Sequence, residues 1–110
     1  MAVDSRYAEG NITAATVTDI VALDVAGFSH VAIQLVVVGS FSGTITFECT
    51  VDNDTWVAYG VGTAAAQGTI VTTATSGGVW LGQCGGLKGV RANCSSFSSG
   101  AVSAALQCSN

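Results

Sequence analysis

Between Thr44 and Val51 the side chains change character at every step, and no other feature of this chain restricts its fold as tightly. Ile45, Phe47, Cys49 and Val51 fall on one side, with Thr44, Thr46, Glu48 and Thr50 on the other. A period of two is that of a pleated strand with one buried and one wet face. The run from His30 to Val38 has the same period: Val31, Ile33, Leu35 and Val37 alternate with Ala32, Gln34, Val36 and Val38. Here the second face is only weakly polar, which predicts that another surface, such as a neighbouring subunit, covers part of it. No segment sustains the 3.6-residue period of an amphipathic helix, and Thr63 to Gln67 offers at most one helical turn.

Turn-forming residues punctuate these runs. Gly39-Ser40-Phe41-Ser42-Gly43 reads as a turn between the two strands. Asp52-Asn53-Asp54 reads as a hairpin tip, because Asp side chains bond nearby backbone amides, and Thr55 to Tyr59 returns as the partner strand. Further strands are expected over Thr69 to Thr75, over Val79 to Gly82 after Ser76-Gly77-Gly78, and over Leu87 to Cys94 after Gly85-Gly86. A loop from Ser95 to Gly100 then leads to a last strand, Ala101 to Cys108. Val90, Ala92 and Cys94 face inward in one of these, with Arg91 and Asn93 outward; Val102, Ala104, Leu106 and Cys108 share a face in the other. Upstream, Asn11 to Asp24 is rich in strand formers with a bend near Asp19, and residues 1–10 form an N-terminal arm or a loose first strand. About seven or eight short strands at ~8–12-residue spacing predict an all-β, antiparallel β-sandwich of jelly-roll-like type. With 110 residues and no linker or internal repeat, the chain is expected to be one domain, 1–110.

Composition narrows the function. Hydrophobic residues make up 49% and charged ones 9%, the opposite of a disordered segment. Fourteen glycines supply turns and bulges, and no proline interrupts a ladder. Net charge is −4, with only Arg6, Lys88 and Arg91 positive, so the basic cluster that grips nucleic acid is missing. The longest apolar run, Val31 to Val38, is broken by Gln34 and too short to span a bilayer as a helix. Met1 to Arg6 does not open a secretion signal, so synthesis and folding in a cytoplasm are expected. Such a compartment favours buried, reduced thiols at Cys49, Cys84, Cys94 and Cys108 over a disulfide framework. Were a bridge to form, Cys94 with Cys108 would be the pair, as their flanking runs could lie side by side. No C-x-x-C spacing suggests zinc.

A catalytic apparatus is not evident. The single histidine, His30, has Ser29 beside it, and on a continuous strand the two should point to opposite faces, which rules out a dyad. Asp52 and Asp54 lack the glycine and glutamate that complete a calcium loop. Glu48 reads as an ordinary exposed acid. Gly60-x-Gly62 and Gly85-Gly86 precede no helix, so neither cradles phosphate. The sequons at Asn11, Asn53 and Asn93 are accidents of a Ser/Thr-rich chain in the absence of export. Trp56 and Trp80 suit either a core or interface, or a stacking platform for sugars, and Arg91 suits a pair with Glu48 or with a partner chain. No enzyme activity, cofactor or metal is expected.

The order of segments carries a resemblance. Val31-Ala32-Ile33-Gln34-Leu35, then Gly39-Ser40-Phe41-Ser42-Gly43-Thr44-Ile45-Thr46-Phe47-Glu48, then Val51-Asp52-Asn53-Asp54-Thr55-Trp56 resembles a recurrent pattern in small β-sandwich virion proteins of tailed bacteriophages. Gly78-Val79-Trp80-Leu81, Gly86-Leu87-Lys88-Gly89-Val90-Arg91 and Phe97-Ser98-Ser99-Gly100 match its later part. The resemblance implies a virion structural protein: a capsid decoration (cement) protein, head fibre, or tail or baseplate component. A short chain opening with methionine points to decoration, with the major capsid protein as partner, a capsid-surface location and a homo-oligomer, a trimer for preference. The alternative is a host-recognition or carbohydrate-binding module on a fibre, tail or baseplate. Trp56, Tyr59, Trp80, Arg91 and Phe97 are the candidate interface or ligand-stacking residues. Cys49, Cys84 and Cys94 depart from the small or aliphatic residues of the pattern, which leaves their redox state open.

Overall fold

The computed structural model describes residues 5–12, 19–64 and 68–110. Nine strands form among them: β1 (Ser5–Ile12), β2 (Asp19–Asp24), β3 (His30–Thr50), β4 (Val57–Ala58), β5 (Val61–Thr63), β6 (Ile70–Val71), β7 (Thr73–Ala74), β8 (Gly78–Gln83) and β9 (Gly89–Ser109). Every ladder is antiparallel. No helix among these residues is long and apolar enough to cross a membrane.

The architecture follows from β3 and β9, each 21 residues long. A straight strand of that length would reach roughly 70 Å, yet the longest dimension of the molecule is 42 Å. Both strands therefore bend, and they bend together. Their ladder runs as far as Val38 with Ala101 and resumes at Ser42 with Ser99, so three residues of β3 face one of β9. Gly39 and Gly100 occupy this bend at φ 68° and 80°, in the left-handed region that favours glycine. Two further shifts, between Ser42 and Gly43 and between Thr44 and Ile45, return the excess, so the original register is restored beyond the bend. The same face therefore stays apolar through both halves: Val31, Ile33 and Leu35, then Ile45, Phe47 and Cys49 on β3 are all buried.

Folding this sheet on itself makes the sandwich. The first layer holds β1, the C-terminal half of β9, the N-terminal half of β3, then β8, β5 and β6; the second holds β2, the other halves of β9 and β3, and β4 and β7. The layers meet where the Phe47 ring packs 5.1 Å from that of Trp80. The Tyr59 hydroxyl donates to the Gln83 carbonyl at 2.6 Å. Arg6 on β1 pairs with Asp24 on β2 at 3.2 Å, although the β9 partners of these residues are Cys108 and Gly89, near opposite ends of that strand.

The expected all-β sandwich is present, with differences of local cause. Gly39–Gly43 is not a turn and 95–100 is not a loop, because glycine-assisted bulges bend the strands without ending their pairing. The expected strand over Thr69 to Thr75 divides into β6 and β7, and the carbonyl of intervening Thr72 accepts the Phe47 N–H. Val51 lies in the turn and is exposed, whereas Thr50 is buried, its hydroxyl donating to Asp52 and accepting the Asn53 N–H. The hairpin forms as expected, Glu48 opposite Ala58 and Cys49 opposite Val57. Of the two expectations for the N-terminus, arm or first strand, residues 5–12 form the strand, regularly paired with β9. The bend near Asp19 corresponds to a shift of register between Asp19 and Val21. Residues 1–4, 13–18 and 65–67, the last including most of the expected helical turn, lie outside the described residues. All four cysteines are free and buried, and burial pushes each thiol pKa up. Cys94 and Cys108 belong to two halves of one strand and are unbridged.

Candidate functional site

The two outer faces of the sandwich differ in chemistry. On the second layer, Arg91 Nε donates to Glu48 Oε1 at 2.8 Å, and its guanidinium lies 4.3 Å from the centre of the Trp56 ring. Glu48 and Arg91 are only 18% and 20% exposed, so Glu48 is not the open acid expected from its position. Thr46 Oγ1 and Ser95 Oγ lie 2.9 Å apart, and Ser95 Oγ donates to the Thr44 carbonyl at 3.2 Å. This face has largely satisfied its own polar groups.

The first layer presents apolar side chains instead. Ladder register sets Tyr7, Gln107, Ala32 and Leu81 in one row across four strands, and Glu9, Ala105, Gln34 and Val79 in the next. Asn11, Ser103 and Val36 follow, then Ala101 and Val38. Tyr7 is 58% exposed, Val36 48%, Val38 60%, Val79 39% and Leu81 40%, while Glu9 is the one charge in these rows. Small residues between large ones leave hollows. One of about 140 Å³ lies among Tyr7, Gln34, Val79 and Ala105, and one of about 300 Å³ among His30, Ala32, Leu81 and Gln107. A third, about 470 Å³, opens beside His30, Gly62, Ile70, Leu81 and Gln83.

The residues singled out from sequence are dispersed by the fold. Trp80 and Tyr59 are buried, so neither offers a ring face. Trp56 is half-buried beneath Arg91, the one pair of these residues that the structure brings together. Phe97 packs edge-on against Phe41 beside the bend, 5.9 Å between centroids. Ser29 and His30 require a correction: Ser29 Oγ lies 3.1 Å from His30 Nδ1. Ser29 precedes β3 and is free of its pleat, so strand alternation does not separate the two side chains. Ser29 Oγ also donates to Asn110 Oδ1 at 3.4 Å, and among the described residues no carboxylate bonds the ring. No group of three or more His, Cys, Asp or Glu gathers at metal-binding range among the described residues. Sequence reasoning missed Tyr7, Val79 and Leu81; the signal was the alternation of Val79 and Leu81 about inward Trp80.

No protein-family model and no curated protein matches the chain. Solved structures of similar fold include two crystal structures that this chain matches over its full length. The crystal structure of the SPBc2 prophage-derived protein YomS has a TM-score of 0.75 at 15% identity, covering 100% of this chain and 98% of YomS. That of the PBSX exported protein XepA has a TM-score of 0.78 at 12% identity, covering 100% of this chain but 40% of XepA. The chain shares their fold. YomS is matched over nearly its whole length, and the bent sandwich corresponds to two-fifths of XepA. The architecture is thus one that occurs in a prophage-derived protein.

Proposed function

We propose that this protein is a structural component of a phage particle, a decoration (cement) protein that docks on the major capsid protein at the virion surface. The observation that carries this reading is the asymmetry of the two outer faces. One is occupied with its own ion pair and hydroxyl bonds, and the other displays Tyr7, Val36, Val38, Val79 and Leu81 with a single acid among them. An exposed apolar patch rimmed by polar residues is the usual mark of a protein–protein contact. Docking of this kind uses shape and burial and asks for no reacting group, so we assign no enzymatic activity. The occurrence of the fold in a prophage-derived protein supports the reading.

The glycan-binding alternative is less well supported. Its platforms were to be Trp56, Tyr59 and Trp80, of which two are buried and the third is covered by Arg91. The deciding experiment compares phage particles with and without the protein under heat and osmotic shock. Particles lacking it are expected to assemble but break sooner, and added wild-type protein is expected to restore them. Val38→Lys/Val79→Lys protein is expected to bind particles at least tenfold more weakly. Equal resistance with and without the protein would exclude the role.

A further inference from the structure

We propose that β1 pairs with β1 of a second copy of this chain about a two-fold axis, joining two sandwiches through their first layers. The inference stands apart from the capsid reading, since it rests on one strand edge.

Among the described residues β1 ends the strand order and forms a ladder on one side only, with β9. Among the described residues no further backbone bond reaches its other side. Proteins normally blunt such an edge with a bulge, a proline, a short strand or a free charge. β1 has eight consecutive pairs without a register shift, and it has no proline. Both its charges are engaged within the chain: Arg6 Nη1 lies 3.2 Å from Asp24 Oδ2 with the guanidinium over the Phe28 ring, and Glu9 Oε2 accepts the Tyr7 hydroxyl. The long edge of the other layer, β2, is interrupted in contrast: it is six residues long and its register shifts between Asp19 and Val21.

The remaining edges select the symmetry. β4, β6 and β7 are two residues each, too short to receive an eight-residue partner, so a head-to-tail ring through this edge lacks a complementary surface. A two-fold pair needs one surface that complements itself. With Ala8 opposite Ala8, each Tyr7 faces Glu9 of the second copy on the outer face, and no two acids stand directly opposite. Tyr7 already donates to Glu9 Oε2 within one chain at 3.1 Å, so the groups can reach and the bond has only to be shared. Tyr7 also begins the outermost row of the apolar face, so pairing sets the two faces edge to edge.

Light-scattering mass over a concentration series tests the pairing, with amide exchange measured in parallel on the wild-type chain. The mass is expected to rise toward twice 11.0 kDa, and exchange over residues 5–12 is expected to slow as it does. Tyr7→Glu, which sets carboxylates opposite Glu9, is expected to shift the association midpoint at least tenfold, while circular dichroism and the melting temperature stay unchanged at dilutions where both proteins are single chains. A single-chain mass at every concentration would overturn the proposal. So would association without slower exchange over 5–12, whatever the variant does. Particle binding enters none of these readouts, so failure here and failure of the capsid reading are distinguishable.

Discussion

Asp52 holds the hairpin tip by one oxygen, Oδ1, which accepts the amides of Asp54 and Thr55 and the hydroxyl of Thr50. Those donors lower its pKa from the ordinary 3.8 to about 2, the Thr55 amide contributing most. A carboxyl depressed in the folded state stabilises the fold above its unfolded value and loses that contribution as pH falls through its folded value. The urea midpoint is therefore expected to drop between pH 4 and pH 2, and Asp52→Asn should flatten that drop. Arg91 holds Glu48 and covers Trp56, so Arg91→Met is expected to cost about 1–2 kcal/mol by urea titration. Glu48→Gln, which keeps an acceptor, should cost less. The four thiols lie in the core with raised pKa values, so at neutral pH a thiol reagent is expected to label none of them rapidly until the chain is unfolded. At this scale the sequence was readable wherever a residue's neighbours in the chain decide its environment, as for Asp52. It was unreadable where the fold supplies the partner, as Gln83 does for Tyr59.

At the scale of strands, the bend in β3 and β9 can be tested at two glycines that differ in room. A β-carbon on Gly100 would sit 2.5 Å from the Phe41 Cα and 2.6 Å from its nitrogen, both backbone, whereas one on Gly39 would meet only the Gly100 Cα at 3.8 Å. Both substitutions incur the left-handed backbone cost, about 1 kcal/mol. Gly100→Ala adds a clash with rigid backbone and is expected to cost at least 2 kcal/mol in all. Thermal melts of the two variants should therefore rank Gly100→Ala well below Gly39→Ala. The same glycines explain what the sequence hid. Gly39 to Gly43 has the composition of a hairpin turn, and nothing local says that the chain continues in the same ladder. Only the β9 partner, some sixty positions away, settles it. The inward sets on either side of each bend were legible nonetheless, because side-chain alternation is a local property and the bulges happen to preserve it.

For the molecule as a whole, the accessible surface of 5669 Å² matches the ~5,600 Å² expected of a folded 11 kDa monomer. The core is thus buried within one chain, and the proposed association would add to it. Trp80 sits on the first layer and packs against Phe47 on the second, so its environment reports on their contact. In Trp56→Phe protein, Trp80 fluorescence and far-ultraviolet circular dichroism are expected to melt in one coincident transition. Separate midpoints would mean that the layers unfold independently. The sandwich class was evident from spacing alone, but the exposed apolar face was only half visible. Val36 and Val38 announced it, while Tyr7 joined it through a β1–β9 register that no local pattern encodes.

In many sandwiches the two leaves adhere mainly through greasy side chains and can in principle be peeled apart. Here β3 and β9 carry unbroken main chain from one leaf into the other across the crease at Gly39 and Gly100. A tug on one leaf travels along peptide bonds into its mate, and delamination would have to straighten two hydrogen-bonded backbones at once.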